Sequence, residues 1–350
     1  MIKDNLSFKI FKDIDSEIEK IWQILEKNSS YYFFQNLEYV KTLSKYSKDK
    51  ELITVIVFKN NKPIMIFPLE IKKIFSVKFL QWAGTSESDY CGPIISDYTI
   101  EKDNFLDLWQ KIINEIKDYD IIFFDKQPEN IEKNINPFFK YFNNISHSKI
   151  YQIKIENDEQ DYIDKLSNKK FVTEFLRTKK KLLSTNEVEF EHNLAFESKL
   201  EPEKIIKKKI SLLNEKKINH NLEGDFTNFY ITLIDSNFKN IYVSTLKINK
   251  QLVAANLGII EKRRFYYYIP VIFNEKFNNF SPGKLLINEL INWSKKKEVD
   301  FFDFGVGQEN YKKYWSNSSV NLYRYINFRG VKGFFIYLLV KIYIKLKQSF

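Results

Sequence analysis

The chain has 350 residues, a net charge of +10, and 44% hydrophobic against 29% charged residues. That balance excludes a wholly disordered chain, and the length predicts about two domains. One cysteine, Cys91, excludes an internal disulfide, and with only three scattered histidines it cannot build a Cys/His zinc cage.

The opening predicts a strand at Leu6–Phe11, a helix at Ile14–Lys27 and a second helix from about Asn36. Two apolar runs, Glu51–Phe58 and Pro63–Ile71, flank Lys59-Asn60-Asn61-Lys62 and predict a hairpin, with Pro63 and Pro68 marking the second run as an edge or bulged strand. A short strand at Phe79–Trp82 leads to a polar loop at Gly84–Gly92. A helix at Lys102–Lys117 and strands at Asp120–Phe124 and Lys149–Ile155 follow. The second half repeats this plan. A helix at Lys169–Leu183 precedes a strand at Val188–His192 and charged helices through Lys217. A hairpin turns at Asn249-Lys250 between Tyr242–Ile248 and Leu252–Ile260. Then come a strand at Arg264–Pro270, a helix at Pro282–Lys296, and strands at Asp300–Phe304 and Asn321–Phe328.

Two internal matches support duplication. Phe58–Ile64 parallels Leu246–Leu252, and helix-plus-strand Ile112–Phe123 parallels Leu290–Asp303, in the same order at offsets near 180. The expected unit is an α/β one, a mixed sheet flanked by helices, with a boundary near 160–170. Charge divides along the same line. Residues 1–165 carry 23 basic and 27 acidic residues, a net −4, and 166–350 carry 32 and 18, a net +14. The basic excess of one half points to an anionic ligand rather than a general nucleic-acid coat.

Glycine is scarce, nine in the chain, and five of the nine are Gly224, Gly258, Gly283, Gly305 and Gly307. Backbone that must approach a ligand favours glycine, so the second half is the candidate site. In Phe280-Ser281-Pro282-Gly283-Lys284, Ser281 can cap a helix, Pro282 suits its first position, Gly283 leaves the amides open and Lys284 adds charge. Such a start binds anions; the bland alternative is an ordinary cap. It is not a Walker A loop, whose spacing is absent. In Asp303–Trp315 a carboxylate leaves a strand end, two glycines bend the chain, and Tyr311, Lys312 and Trp315 follow; the alternative is a loop with aromatic core anchors. The helix with Lys169, Lys170, Arg177, Lys179, Lys180 and Lys181 is either a solvated face or a phosphate contact. His147, His192 and His220 lie far apart with no paired nucleophile, and Cys91, beside Gly92-Pro93, reads as a small buried filler, with a reactive thiol as the alternative.

Several segments in order resemble a known family. They are Phe34–Tyr39, Ile66–Leu69, Leu80–Gly84 with Asp89-Tyr90, the basic helix with Val188–Phe190, Val253–Ala255, Tyr266–Pro270, Ser281–Gly283, and Asp303–Gly305 through Tyr311-Lys312. Together they are similar to the CelD/BcsL-type acetyltransferase domain of the GNAT superfamily, related to Fem-type aminoacyltransferases. The resemblance, which covers roughly 30–320, implies tandem GNAT-like domains at 1–165 and 166–330, each a mixed, mostly antiparallel sheet flanked by helices; the tail outside it, 331–350, reads from its own residues as a basic amphipathic helix. The resemblance also implies transfer of an acyl group from acetyl-CoA or another acyl-CoA to an amine, without a metal. The acceptor class implied is an amino sugar or nucleotide-sugar of polysaccharide or cell-envelope biosynthesis.

On that resemblance Ser281, Pro282, Gly283 and Lys284 bind the donor pyrophosphate, and Lys179 and Lys180 hold its remaining phosphates. Asp303, or a water chain that it anchors, is the base candidate, and Tyr266, Tyr268 or Tyr311 protonates the departing thiolate. Backbone N–H groups of Arg264–Pro270 stabilise the oxyanion. Asn256, Lys312, Trp82, Asp89 and Tyr90 face the acceptor, Lys312 by gripping an anionic group. Two departures stand out: the family's pyrophosphate loop is reduced to Asn278–Gly283, and Asn256 occupies a strand position where the family often has histidine. The competing readings are a Fem-type enzyme using aminoacyl-tRNA and a non-catalytic, membrane-associated polysaccharide assembly factor. No signal-peptide core or spanning stretch is predicted, so the chain reads as cytoplasmic. Its tail, 331–350, is either docked on the domain or in peripheral contact with a membrane. DNA is not an expected partner.

Overall fold

The computed structural model describes residues 6–46, 50–156, 158, 160–218, 222, 225–236, 240–307 and 309–348. Gly224, His220 and Gln308, which the sequence reading touches, lie outside them. The chain forms two compact units, 1–148 with 321–350, and 149–320.

In the first unit the strands run Leu6–Phe11, Lys50–Lys59, Lys62–Ile74, Val77–Trp82 and Ile121–Pro128 in spatial order. All neighbours are antiparallel except the last two, which are parallel at Phe79↔Ile121 and Leu80↔Ile122. The hairpin turns at Asn60 and Asn61, whose φ values of 49° and 64° suit a two-residue primed turn that asparagine tolerates. Helix Ser16–Asn28 starts on Asp15, whose carboxylate accepts from the N–H groups of Glu17 and Ile18 at 2.9 Å. Helix Lys102–Ile116 buries Phe105, Leu108, Trp109 and Ile112, a 3–4 spacing that makes one apolar face.

The second unit has the same order: Val188–Leu194, Ile241–Ile248, Gln251–Glu261, Arg264–Ile272 and Phe301–Val306. Again every pair is antiparallel except the last, parallel at Arg264↔Phe301, Phe265↔Phe302 and Tyr266↔Asp303. Its hairpin turns at Asn249 and Lys250, with φ of 50° and 63°. Helices Lys169–Thr185 and Pro282–Lys296 join one core with the sheet through Phe171, Phe175, Leu285, Leu290, Phe302 and Trp315. The two units thus repeat one α/β plan, as the internal matches require.

One expectation changes, and one open alternative is decided. The boundary is not a single cut near 165. Strand Ile145–Lys154 enters the second unit and pairs with Phe301–Val306 through residues 150–154, while residues 322–328 of Ser318–Phe328 pair with Ile121–Pro128 in the first. Each sheet is completed by a strand that a linear reading assigns elsewhere, and the C-terminal helix Gly330–Gln348 belongs to the first unit. Of the edge and bulged readings of the strand with two prolines, the bulged one holds, because the strand is interior and its register is irregular. Pro63 sits where the register with Lys50–Lys59 slips, so its missing N–H falls at an irregularity.

Candidate active site

The parallel strands of the second unit touch only at their first residues and then part, leaving a fork beyond Tyr266 and Asp303. On its other side Arg264–Ile272 pairs with Gln251–Glu261, and there Tyr267 and Tyr268 together face the single residue Gly258, between Leu257↔Ile269 and Ile259↔Tyr266. A bulge of this kind takes a backbone N–H out of the ladder where the strands separate. Gly258 is required at the spot, because a Cβ there would lie 2.4 Å from the Phe265 ring. The phenols of Tyr267 and Tyr311 flank the second strand, each in edge contact with Phe304 at 6.0 and 6.1 Å. Burial holds both phenols well above the ordinary tyrosine range, with Glu309 adding to the effect on Tyr311.

Ionisable groups gather at the strand ends. Lys209, on helix Pro202–Glu215, donates to the Pro270 carbonyl at 3.4 Å. Lys312 donates to the Val306 carbonyl at 2.9 Å and pairs with Glu309 at 3.0 Å. One lysine therefore holds the end of each prong. Burial pulls Lys209 below the usual lysine range, opposed by Glu309 and helped by Lys312 and Lys216. Burial pushes Glu309 upward, but the charge and hydrogen bond of Lys312 outweigh it and hold the carboxyl below its ordinary range. Gly307, with φ of 141°, lets these groups close up, since its Cβ would meet Glu309 Oε2 at 2.2 Å and Lys312 Nζ at 2.6 Å.

The first strand leads into helix Pro282–Lys296 through the short helix Glu275–Phe280. Ser281 does not cap with its side chain. It adopts a left-handed conformation, φ 53° and ψ 57°, and its carbonyl accepts from Lys284 and Leu285. Pro282 occupies the first position, and Gly283, at the second, has no acceptor within the helix. A Cβ at Gly283 would meet only Ile272, at 3.7 Å, so packing does not demand glycine there. Lys284 lies over the Phe171 ring at 5.2 Å, and Phe171 stacks on Tyr314 at 5.7 Å. Tyr314 lines a polar cavity of about 890 Å³ with Lys154, Lys165, Asn310, Lys313 and Asn317. That cavity lies beside the fork's second prong rather than within the fork.

The structure corrects several expected roles. Asp303 is completely buried. Its Oδ2 pairs with Arg264 at 2.8 Å and its Oδ1 accepts from Gly305 N–H at 2.8 Å, while Arg264 also donates to Gln152 at 2.7 Å. This carboxylate pins the fork's root, and a base needs access it does not have. Lys312 is 4% exposed and held by Val306 and Glu309, so it does not reach for an acceptor. Asn256 is fully buried, on the sheet face that carries Ala254 into the helix-covered core, and neither amide atom has a protein partner among the described residues.

Lys179 pairs with Asp161 at 3.8 Å, and Asp161 accepts from Asn292, well along helix Pro282–Lys296. Lys179 therefore turns to Asp161 rather than to the helix start, and its neighbour Lys180 is exposed. Tyr266 is buried, and the Tyr268 hydroxyl meets that of Tyr230 at 3.0 Å. Trp82, Asp89 and Tyr90 belong to the first unit. There Trp82 packs on Phe124 and Phe138, Tyr90 stacks on Tyr32 at 3.9 Å, and Asp89 is half-buried between them in sequence. Trp82 and Tyr90 are core residues rather than substrate contacts. Cys91 is buried beside them, with its thiol pushed up to about 12 by burial.

Sequence reasoning missed Lys209, Glu309, Tyr267 and the bulge. Among the described residues no cluster of His, Cys, Asp and Glu could hold a metal ion, and no helix is long and apolar enough to cross a membrane.

Residues 169–313 match the family described as acetyltransferase (GNAT) domain. No curated protein sequence matches the chain significantly. Among solved structures it resembles FemX with a TM-score of 0.60 at 10% identity, over 91% of this chain and 97% of that one. A tandem GNAT protein from the clavulanic acid biosynthesis pathway gives 0.52 at 8% identity, over 93% and 99%. The C-terminal domain of a putative lysylphosphatidylglycerol synthetase from Agrobacterium fabrum gives 0.51 at 9%, over 92% and 93%. These likenesses show the fold, tandem and GNAT-like across nearly the whole chain.

Proposed function

Starting from an acetyltransferase (GNAT) domain at residues 169–313, we propose that the second unit transfers an acyl group from an acyl-CoA thioester to an amine. The observation that carries the reading is the fork, with its bulge at Tyr267 and Tyr268 and the open Gly283 at the helix that follows. The thioester lies between the prongs, and the donor's pyrophosphate meets the helix start at Gly283 and Lys284. The acceptor nitrogen attacks the thioester carbonyl carbon. The oxygen gains negative charge and is held by the N–H that the bulge frees. Collapse breaks the C–S bond, and Tyr311, kept protonated by its surroundings, gives its proton to the thiolate. Lys209, whose proton is loosened by burial, takes the proton the amine loses, directly or through water.

The acceptor proposed is an amino sugar or nucleotide-linked amino sugar, the class implied by the sequence segments that resemble the CelD/BcsL-type domain. Calorimetry with acetyl-CoA tests the donor site. Gly283→Asp puts a carboxylate where the pyrophosphate goes and should abolish binding; undiminished binding removes the helix start from the reading. Thiol release across a panel of amino sugars then identifies the acceptor. The likeness to FemX and the net +14 of residues 166–350 favour a second reading, aminoacyl-tRNA as donor. Salt-sensitive tRNA binding without acetyl-CoA binding supports that alternative.

A further inference from the structure

The C-terminal helix Gly330–Gln348 has two apolar faces, and the first unit covers only one. On the covered side Ile344 is buried, and Ile336, Tyr337 and Val340 pack with Ile121 and Ile326. The helix is held tightly at its start. A Cβ on Gly333 would lie 2.3 Å from the Asp120 carbonyl oxygen, Lys332 pairs with Asp120 at 2.8 Å, and Arg329 N–H donates to the same carbonyl at 2.9 Å.

On the opposite side Val331, Phe335, Leu338, Leu339, Ile342 and Leu346 recur at spacings of three and four. They are 76%, 62%, 41%, 67%, 57% and 57% exposed. They form a strip about 22 Å long at 1.5 Å per residue. Exposed apolar side chains concentrate here, since eight of the eighteen large ones among the described residues lie on this helix. A contiguous patch of this kind marks an interaction surface. Beside the helix start sits the hairpin tip Ile74-Phe75, where Phe75 is 95% exposed and Lys332 donates to the neighbouring Ser76 carbonyl at 2.5 Å.

We propose that this helix face docks flat on an anionic lipid bilayer while the helix stays packed on the first unit. Charge selects that occupant. The helix has no aspartate or glutamate, and exposed Lys341 and Lys345 lie along one rim of the strip. Lys72 and Lys73 precede the hairpin tip. A second copy of the chain pairing through this strip would bring lysine against lysine with no carboxylate on either helix. Anionic headgroups instead meet the lysines while the acyl region takes the apolar strip, and Phe75 enters beside it.

The test uses the full chain and sedimentation with vesicles of phosphatidylcholine, with or without phosphatidylglycerol. Binding to the anionic vesicles should fall roughly tenfold or more in Leu339→Glu/Ile342→Glu and in Lys341→Glu/Lys345→Glu, about the effect of two lysines at such a surface. Circular dichroism and acetyl-CoA binding should stay unchanged, because these side chains are exposed and lie in the first unit. Three results overturn the proposal: no sedimentation with anionic vesicles, equal binding to neutral ones, or a dimer by light scattering that Leu339→Glu/Ile342→Glu disperses without any vesicle binding.

Discussion

Replacing Asp303 separates a structural carboxylate from a catalytic one. Asp303 has no exposed surface, and Arg264, its partner at 2.8 Å, is almost as deeply buried and also stacks over Phe301 at 4.5 Å. Removing one member of such a pair leaves a buried charge uncompensated, which costs about 3–5 kcal/mol. Against a typical stability of about 5–15 kcal/mol that is a large fraction. For a unit of this size each kcal/mol lowers Tm by about 2–4 °C, so Arg264→Leu should lose roughly 6–20 °C. Asp303→Asn keeps an acceptor for Gly305 N–H but strands the guanidinium, and should fall at the lower end. Arg264→Met/Asp303→Leu removes both charges and should recover much of the loss. Thermal and urea unfolding by circular dichroism reads these shifts, and acyl transfer is measured on the same samples below their transitions. A catalytic base gives the opposite pattern, with kcat down by about 10²–10⁴ and Tm unchanged. If Asp303→Asn melts with the wild type yet loses activity on that scale, the structural assignment is wrong.

Other substitutions probe the fork and its surroundings. Gly258→Ala forces the Phe265 ring away from a 2.4 Å contact and should destabilise by about 1–3 kcal/mol in urea titrations, whereas Gly283→Ala, with nothing nearer than Ile272 at 3.7 Å, should stay within about 0.5 kcal/mol. Lys209→Met should lower kcat while leaving acetyl-CoA affinity intact, and should remove a limb on which activity rises with pH through the lowered lysine pKa. Stability carries a matching sign. The folded state gives up the Lys209 proton more readily than the unfolded chain, so the wild type should gain stability relative to Lys209→Met as pH rises from that lowered pKa towards 10.5. A flat difference between the two proteins across that range contradicts the half-buried placement of Lys209.

The repeat was readable because its two strongest signals are local. Asn60-Asn61 and Asn249-Lys250 occupy the same positive-φ turn, and the helix-strand pairs after them bear matching apolar patterns. Asp303 looked catalytic because a carboxylate at a strand end commonly is. Its cancellation by Arg264, 39 positions away, is a contact that spacing does not encode. Lys209 left a signal that went unused. It falls three residues after Ile206, on the stripe where helix Pro202–Glu215 should be apolar, and a lysine there must find a buried partner. The exchange of Ile145–Lys154 and Ser318–Phe328 between units had no such signal, because either strand has the alternation to complete either sheet.

The two forks begin alike, yet their backbones and contents differ in ways that bear on the proposed chemistry. In the first unit Val77–Trp82 pairs residue for residue with Leu69–Ile74, and Ala83 N–H continues the ladder to the Pro68 carbonyl. No N–H in that stretch is diverted by a bulge. Trp82 packs on Phe124 at 4.6 Å and on Phe138 at 5.2 Å, and Lys126 donates across to the carbonyls of Thr85 and Ser88. That fork is filled with rings and laced by a lysine whose hydrogen bonds go to backbone. In the second unit the equivalent strand carries the Tyr267–Tyr268 bulge, and the prong ends carry Lys209, Glu309 and Lys312. Acyl transfer needs a backbone donor where charge develops and groups able to move protons nearby. The repeated plan supplies two frames of the same strand order. The bulge and the ionisable strand ends distinguish the one that fits the proposed chemistry; charge does not, since residues 149–320 carry 29 basic and 23 acidic residues, a net +6, and the rest of the chain carries the remaining +4.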